Sequence, residues 1–236
     1  MKKLFPTAAA TAFALATCLA ASAQSSNNNS AVDKQLTESA QIIQEMTGPN
    51  ATAGVPHQVL EDAKCIAVIP NLIHAGFIIG GRHGDGVATC RLAPGRWSPP
   101  APFSLSGGSF GLQIGAEDIA LIMMIMNDQG FQALESGHFK VGGELSGAAG
   151  PVGREGQASA GWKAAILTYA RTKGVYAGAT INGAELNQNK KETEELYGSD
   201  VPFNSILKGQ VNAPNNADVH KFLMTIHSAE VNARAQ

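Results

Sequence analysis

The stretch Pro100–Asn127, PAPFSLSGGSFGLQIGAEDIALIMMIMN, joins the longest alternating run of the chain to its longest apolar run through a dense set of glycines. Phe103, Leu105, Phe110, Leu112 and Ile114 recur with small or polar residues between them, the period of a half-buried strand. Gly107, Gly108, Gly111 and Gly115 interrupt that pattern. Glycine inside a strand marks a bulge, a sharp bend or close backbone approach, so the sheet is expected to curve strongly. Ile119–Met126 is apolar on both faces and too short to span a bilayer as a helix, which makes it a central strand covered on both sides.

Upstream, Cys65–Ile69 reads as a buried strand closed by Pro70. Gly76–Arg82 and Gly86–Leu92 read as strands about a hairpin turn at Arg82–Gly86, where Gly and Asp suit the turn. Trp97–Pro100 is an extended connector, because consecutive prolines refuse both helix and central strand. Downstream come a short helix over Asp128–Ser136 closed by Gly137, strands at Phe139–Ser146 and Lys163–Arg171, and a Lys173-Gly174 turn into Val175–Ile181. Amphipathic helices are expected over Asp33–Met46 and Ala217–Val231, a short helix over Pro56–Ala63 and a charged helix over Asn187–Leu196. The predicted class is α+β: a strongly curved, glycine-rich antiparallel sheet, barrel-like or a sandwich, covered by amphipathic helices.

With 236 residues, 44% of them apolar, the chain is long enough for one domain with a substantial core. Its 15% charged residues sum to −2, so the basic surplus that nucleic acid requires is absent. Residues 1–23 read as a signal peptide: Lys2 and Lys3, an apolar run Ala8–Ala21, then Ala21-Ser22-Ala23 as a cleavage signal. Residues 24–32 form a polar linker and 33–236 a single domain. The expected location is periplasmic or secreted, associated with the cell envelope. Leu15-Ala16-Thr17-Cys18 faintly resembles a lipoprotein box, although threonine before the cysteine fits poorly. Cys65 and Cys90 are then the remaining cysteines, either paired in an oxidising compartment or buried as free thiols.

Gly107-Gly108-Ser109-Phe110-Gly111 matches G-x-S-x-G, with Asp118 and His138 following in hydrolase order. That elbow needs a strand, a sharp turn and a helix. Here the alternation continues past Ser109 and the next helix begins only near Asp128, so Ser109 reads as a bend residue and a serine esterase as the minor alternative. The six histidines include no H-E-x-x-H and no C-x-x-C partner, which leaves Cys65, His74, His83 and Cys90 as the one combination to weigh as a metal site. No metal and no cofactor is expected. Basic residues cluster in loops: Arg82, Arg91 and Arg96; Arg154 with Lys163; Arg171 with Lys173. They are either ordinary solvated charge or anchors for anionic headgroups.

A series of motifs in one order gives the chain a resemblance. It comprises Ala63–Pro70, Gly76–Gly81, His83–Gly86, Trp97–Pro100, Ser106–Gly115, Met126-Asn127, Phe139–Gly142, Ala148–Arg154, Tyr169–Gly178 and Tyr197-Gly198. Over residues 35–230 it resembles the SYLF family. That resemblance implies a non-enzymatic lipid-binding module, with phosphoinositide binding in eukaryotic relatives and actin binding in yeast relatives. It also implies that the N-terminal amphipathic helix, through Leu36, Ile43 and Met46, contributes apolar membrane contact. For an exported bacterial-type chain the expected partner is a phospholipid surface, with headgroups met by Arg82, Arg91, Arg96, Arg154, Arg171 and Lys173. An envelope structural or interaction protein with a protein partner is the alternative.

Overall fold

The structure is a computed structural model that describes residues 30–48, 54–93, 95–111, 116–142, 145–152, 164–172 and 175–235. The side chains of residues 75–79, 109–111, 116–118 and 176 are excepted. The proposed leader, the linker before Ser30, Arg154, Lys163 and Lys173 lie outside the described residues.

Among the described residues the fold is α+β, with nine strands in one strongly curled sheet and helices packed against both of its faces. Its spine is β1 (Cys65–Ala93), which pairs antiparallel first with β4 (Ala116–Ile125) and then with β3 (Ala101–Gly111). β1 and the β3–β4 segment thus make one long two-stranded ribbon, bent back on itself near its middle. The ends of β1 meet: the Arg91 N–H donates to the Lys64 carbonyl at 2.8 Å, and Cys65 and Cys90 are joined by a disulfide with their Cα atoms 4.0 Å apart. Both thiols are consumed, which removes the metal combination with His74 and His83.

Contrary to the sequence expectation, the glycines of Arg82–Gly86 form no hairpin turn. Arg82 to Gly86 run unbroken opposite Gly107 to Phe103, within β1. Neither Gly84 nor Gly86 has a positive φ. They are small because the two arms of β1 touch there. A Cβ on Gly84 would lie 2.8 Å from an Ile69 methyl and 3.0 Å from Leu72 Cα, and one on Gly86 would lie 2.7 Å from the Phe103 ring and against the Val68 carbonyl. Pro70 does not close the strand either; the pairing to β4 slips between Ile69 and Leu72, a bulge that absorbs the missing N–H.

The curl creates two cores. Cys65, Ala67, Ile69, Ala88, Phe103, Leu105, Leu121 and Met123 point into the concave side. Ile66, Val68, Val87, Ile122 and Met124 point out, under α1 (Ala31–Thr47) and α6 (Ala217–Arg234). Burial on both faces explains the unbroken apolar run in β4. α1 starts where the Ser30 hydroxyl accepts from the Asp33 N–H, and α6 where Asn216 accepts from Asp218 and Val219. The two helices are tied side by side, as Thr37 donates to Asp218 at 2.7 Å and Asn216 to Asp33 at 2.6 Å.

Leu36, Ile43 and Met46 were expected at a membrane. The structure buries all three in the outer core, at 0%, 1% and 0% exposure. At roughly 2 kcal/mol for each side chain, peeling this face off would forfeit on the order of 6 kcal/mol. They are core residues in this conformation.

The remaining elements close the sheet's flanks. β7 (Ile166–Thr172) pairs with β4 and with β8 (Val175–Gly178) across the expected hairpin, and β6 (Gly147–Ala149) joins β7 in parallel. β5 (His138–Lys140) pairs with β9 (Ala184–Gln188), which in turn borders β3. The helix expected from Asn187 starts later, as α4 (Lys190–Tyr197), because Asn187 and Gln188 are held opposite Ser104 and Phe103. α2 (His57–Asp62) and α3 (Asp128–Glu135) fall within their expected ranges, whereas α5 (Phe203–Leu207) had no visible period. β2 (Arg96–Trp97) folds back antiparallel on the end of β1.

Candidate functional site

The bend in the ribbon sorts the candidate residues into two ends. At the closed end lie the disulfide, β2, α2 and α6. Here Arg91 is an interior residue. Its guanidinium pairs with Glu230, donates to the carbonyls of Leu60 at 3.0 Å and Ala63 at 3.2 Å, and stacks 4.5 Å from the Trp97 ring. Glu230, 1% exposed, also accepts from Trp97 Nε1 at 2.8 Å and from Arg234 at 2.6 Å. Burial alone would push the Glu230 carboxyl up, but the Trp97 hydrogen bond and the charges of Arg91 and Arg234 hold it below the ordinary carboxylate range. Arg91 therefore ties α2, β1 and α6 together, its guanidinium engaged by Glu230 and main-chain carbonyls rather than held free for a headgroup. Arg96 is exposed nearby, paired in register with Ala93.

At the open end, register brings several strands to one rim. Ile73 on β1 faces Asp118 on β4, Arg171 on β7 faces Ala120 on β4, and Val175 faces Thr172 across the β7–β8 hairpin. β6 does not reach this rim: its pairing with β7 stops at Thr168, and β8 takes over the same edge from Tyr169 to Thr172. The close packing of Gly84 on Asn71 and Leu72 returns β1 to this rim, so Arg82 comes back beside it. Of the large apolar side chains exposed among the described residues, Ile73 (50%) and Val175 (69%) are here; Val152 (37%) lies beyond the end of β6, and Met224 and Val231 lie on α6.

The basic candidates consequently split. Arg82 and Arg91 lie nine residues apart along one strand, about 30 Å by strand rise, too far to act on one headgroup. Arg82 donates to the carbonyls of Gly108 at 3.1 Å and Asn182 at 2.8 Å, and burial lowers its pKa. Arg171 is paired to Glu45 of α1 at 2.9 Å. Both stand at the rim with part of their surface open, and they do not meet Arg91 or Arg96. Sequence reading missed Ile73 and Val175. A valine directly after a Lys-Gly turn was a signal for one of them, since a hairpin tip has no core to face.

The hydrolase geometry is absent in the backbone. Ser109 sits within β3 opposite Gly80, the strand continues to Gly111, and α3 begins only at Asp128. His138 on β5 contacts Asn187 Oδ1 at 2.5 Å and Glu185 at 3.4 Å. Among the described residues no group of three or more His, Cys, Asp or Glu side chains is placed to hold a metal ion. No helix among them is long and apolar enough to cross a membrane.

Residues 106–229 match the family model Ysc84, described as Las17-binding protein actin regulator. Protein YSC84 of Saccharomyces cerevisiae is 30% identical over 190 residues, which are 77% of this chain and 40% of that protein. LAS seventeen-binding protein 3 of the same species is 31% identical over 190 residues, covering 77% and 41%. SH3 domain-containing YSC84-like protein 1 of Bos taurus is 31% identical over 211 residues, covering 84% and 62%. The chain spans about half the length of these curated relatives. No solved structure matches it. The matched region runs from β3 through most of α6 and so takes in the rim strands β4, β7 and β8 together with half of the bent ribbon; the chain belongs to the Ysc84 (SYLF) family.

Proposed function

We propose that this chain is a non-enzymatic phospholipid-binding module of an exported protein, and that it meets the bilayer with the open rim rather than with α1. The observation that carries this reading is that Ile73 and Val175 are exposed at the same end of the β1–β4–β7–β8 ladder, with Arg171 in that register. Apolar side chains enter the headgroup boundary while flanking cations stay at its surface. Removing Lys2 and Lys3 with the leader leaves a net charge of −4, which argues for apolar insertion over bulk electrostatic attraction. The Cys65–Cys90 disulfide suits an oxidising compartment, and so supports export to the periplasm or beyond. No step of this function uses Ser109, a metal or a cofactor.

Co-sedimentation of the purified chain with phosphatidylcholine and phosphatidylglycerol liposomes tests the proposal. Each half-exposed rim residue contributes about 1 kcal/mol on insertion, so Ile73→Ser with Val175→Ser is expected to weaken binding roughly thirtyfold. Arg96→Ala, at the opposite end, is expected to leave it unchanged. Equal binding by the double variant and the parent would overturn the rim as the contact. The names of the relatives favour a second reading, a protein partner in the envelope. Pull-down from envelope extract that survives detergent and lipid depletion would support that reading instead.

A further inference from the structure

A cleft of about 220 Å³ opens between α1, the bulge of β1 and α4. Its acceptors outnumber its donors. Lys34 and Asn71 line it, but both already serve Glu38, at 3.6 Å and 2.7 Å. Asp85 Oδ1 accepts from Ser104 and Asn189. Two further residues lining the cleft carry oxygens without any partner: Gln35 Oε1 and Glu192 Oε2, on side chains only 6% and 7% exposed.

Glu192 occupies the third position of α4 behind the Asn189 cap, where a glutamate ordinarily reaches back to the cap's own N–H. That N–H is donated instead to the Pro102 carbonyl at 3.1 Å, so the carboxylate is not consumed by capping. A buried carboxylate, a buried amide oxygen and a second carboxylate left facing one cleft make an all-oxygen donor set, the chemistry of hard divalent cations.

We propose that this cleft binds a hydrated divalent cation of the calcium class, with Glu192, Asp85 and Gln35 as its protein ligands and water completing the shell. Two carboxylates match the ion's charge, and the volume leaves room for the several waters that such a sparse protein set requires. The groups around Glu192 are Asp85 on β1, Lys191 and Glu195 on α4, and Lys34, Gln35 and Glu38 on α1.

The test is calorimetric titration of the EDTA-stripped chain with calcium chloride and magnesium chloride. Saturable 1:1 binding of calcium is expected, weakened at least about tenfold by Glu192→Gln and by Asp85→Asn. Both substitutions keep the side-chain shape and the Asp85 hydrogen bonds, so both variants are expected to fold. The absence of saturable heat up to about 10 mM calcium would overturn the proposal, as would affinity unchanged in the two variants, which would place the ion elsewhere.

Discussion

Replacing Glu192 with glutamine in the ion-free chain is expected to stabilise it, and the gain is set by pH. The folded carboxyl sits at about 7 against an ordinary 4.5. Because the folded state holds this proton longer than the unfolded chain, the Glu192 contribution costs nothing below about pH 4.5, becomes unfavourable between 4.5 and 7, and carries its full deficit above 7. That interval corresponds to roughly 3 kcal/mol at about 1.4 kcal/mol per pH unit. Glu192 is 7% exposed, so little of this is lost to solvent screening. Glutamine has the same shape and does not ionise. Thermal denaturation in EDTA should therefore place Glu192→Gln above the parent by about 6–12 °C at pH 8 and by under about 3 °C at pH 5. An equal difference at both values, or a variant less stable at pH 8, would refute the reading of Glu192 as a buried, repelled carboxylate.

Glu230→Ala leaves the Arg91 guanidinium buried without its partner, and at pH 7 it is expected to lose about 3–5 kcal/mol in urea denaturation, more than Arg91→Met combined with Glu230→Leu. The depressed Glu230 carboxyl contributes stability above about pH 4.5 and loses it as pH falls further, so the Trp97 environment should collapse in acid, read by fluorescence. Reducing the Cys65–Cys90 bond, which spans a sequence separation of 25, should lower stability by about 3.5 kcal/mol on the loop-closure model, measured as a shifted guanidinium midpoint with and without dithiothreitol. Gly86→Val should cost about 3 kcal/mol or prevent folding, because the Phe103 ring and the Val68 carbonyl occupy the space of its side chain, whereas Gly108→Ala meets nothing within 4 Å and should stay within about 1 kcal/mol of the parent; equal effects would undo the close-approach reading.

The sequence by itself determined what is local. Period two in Phe103–Leu105, the doubly apolar IALIMMIM run, the helical spacing of Leu36, Ala40, Ile43 and Met46 and the glycine after Tyr197 each name their element, because capping and amphipathicity act over a few residues. Glycine density announced curvature as well, but not its cause. Only the tertiary structure decided that Gly84 and Gly86 are contact points between the arms of one strand, that the apolar face of α1 is roofed by α6, and that Arg91 meets Glu230 across a separation of 139 residues. The rim belongs to the same class. Ile73 and Val175 carry no common motif, and they come to one end of the sheet only because β1, β4, β7 and β8 pair in register. The physical reason is that a side chain's burial and charge environment come from whichever residue the fold places against it, and between strands that partner is set by register, which no short window of sequence contains.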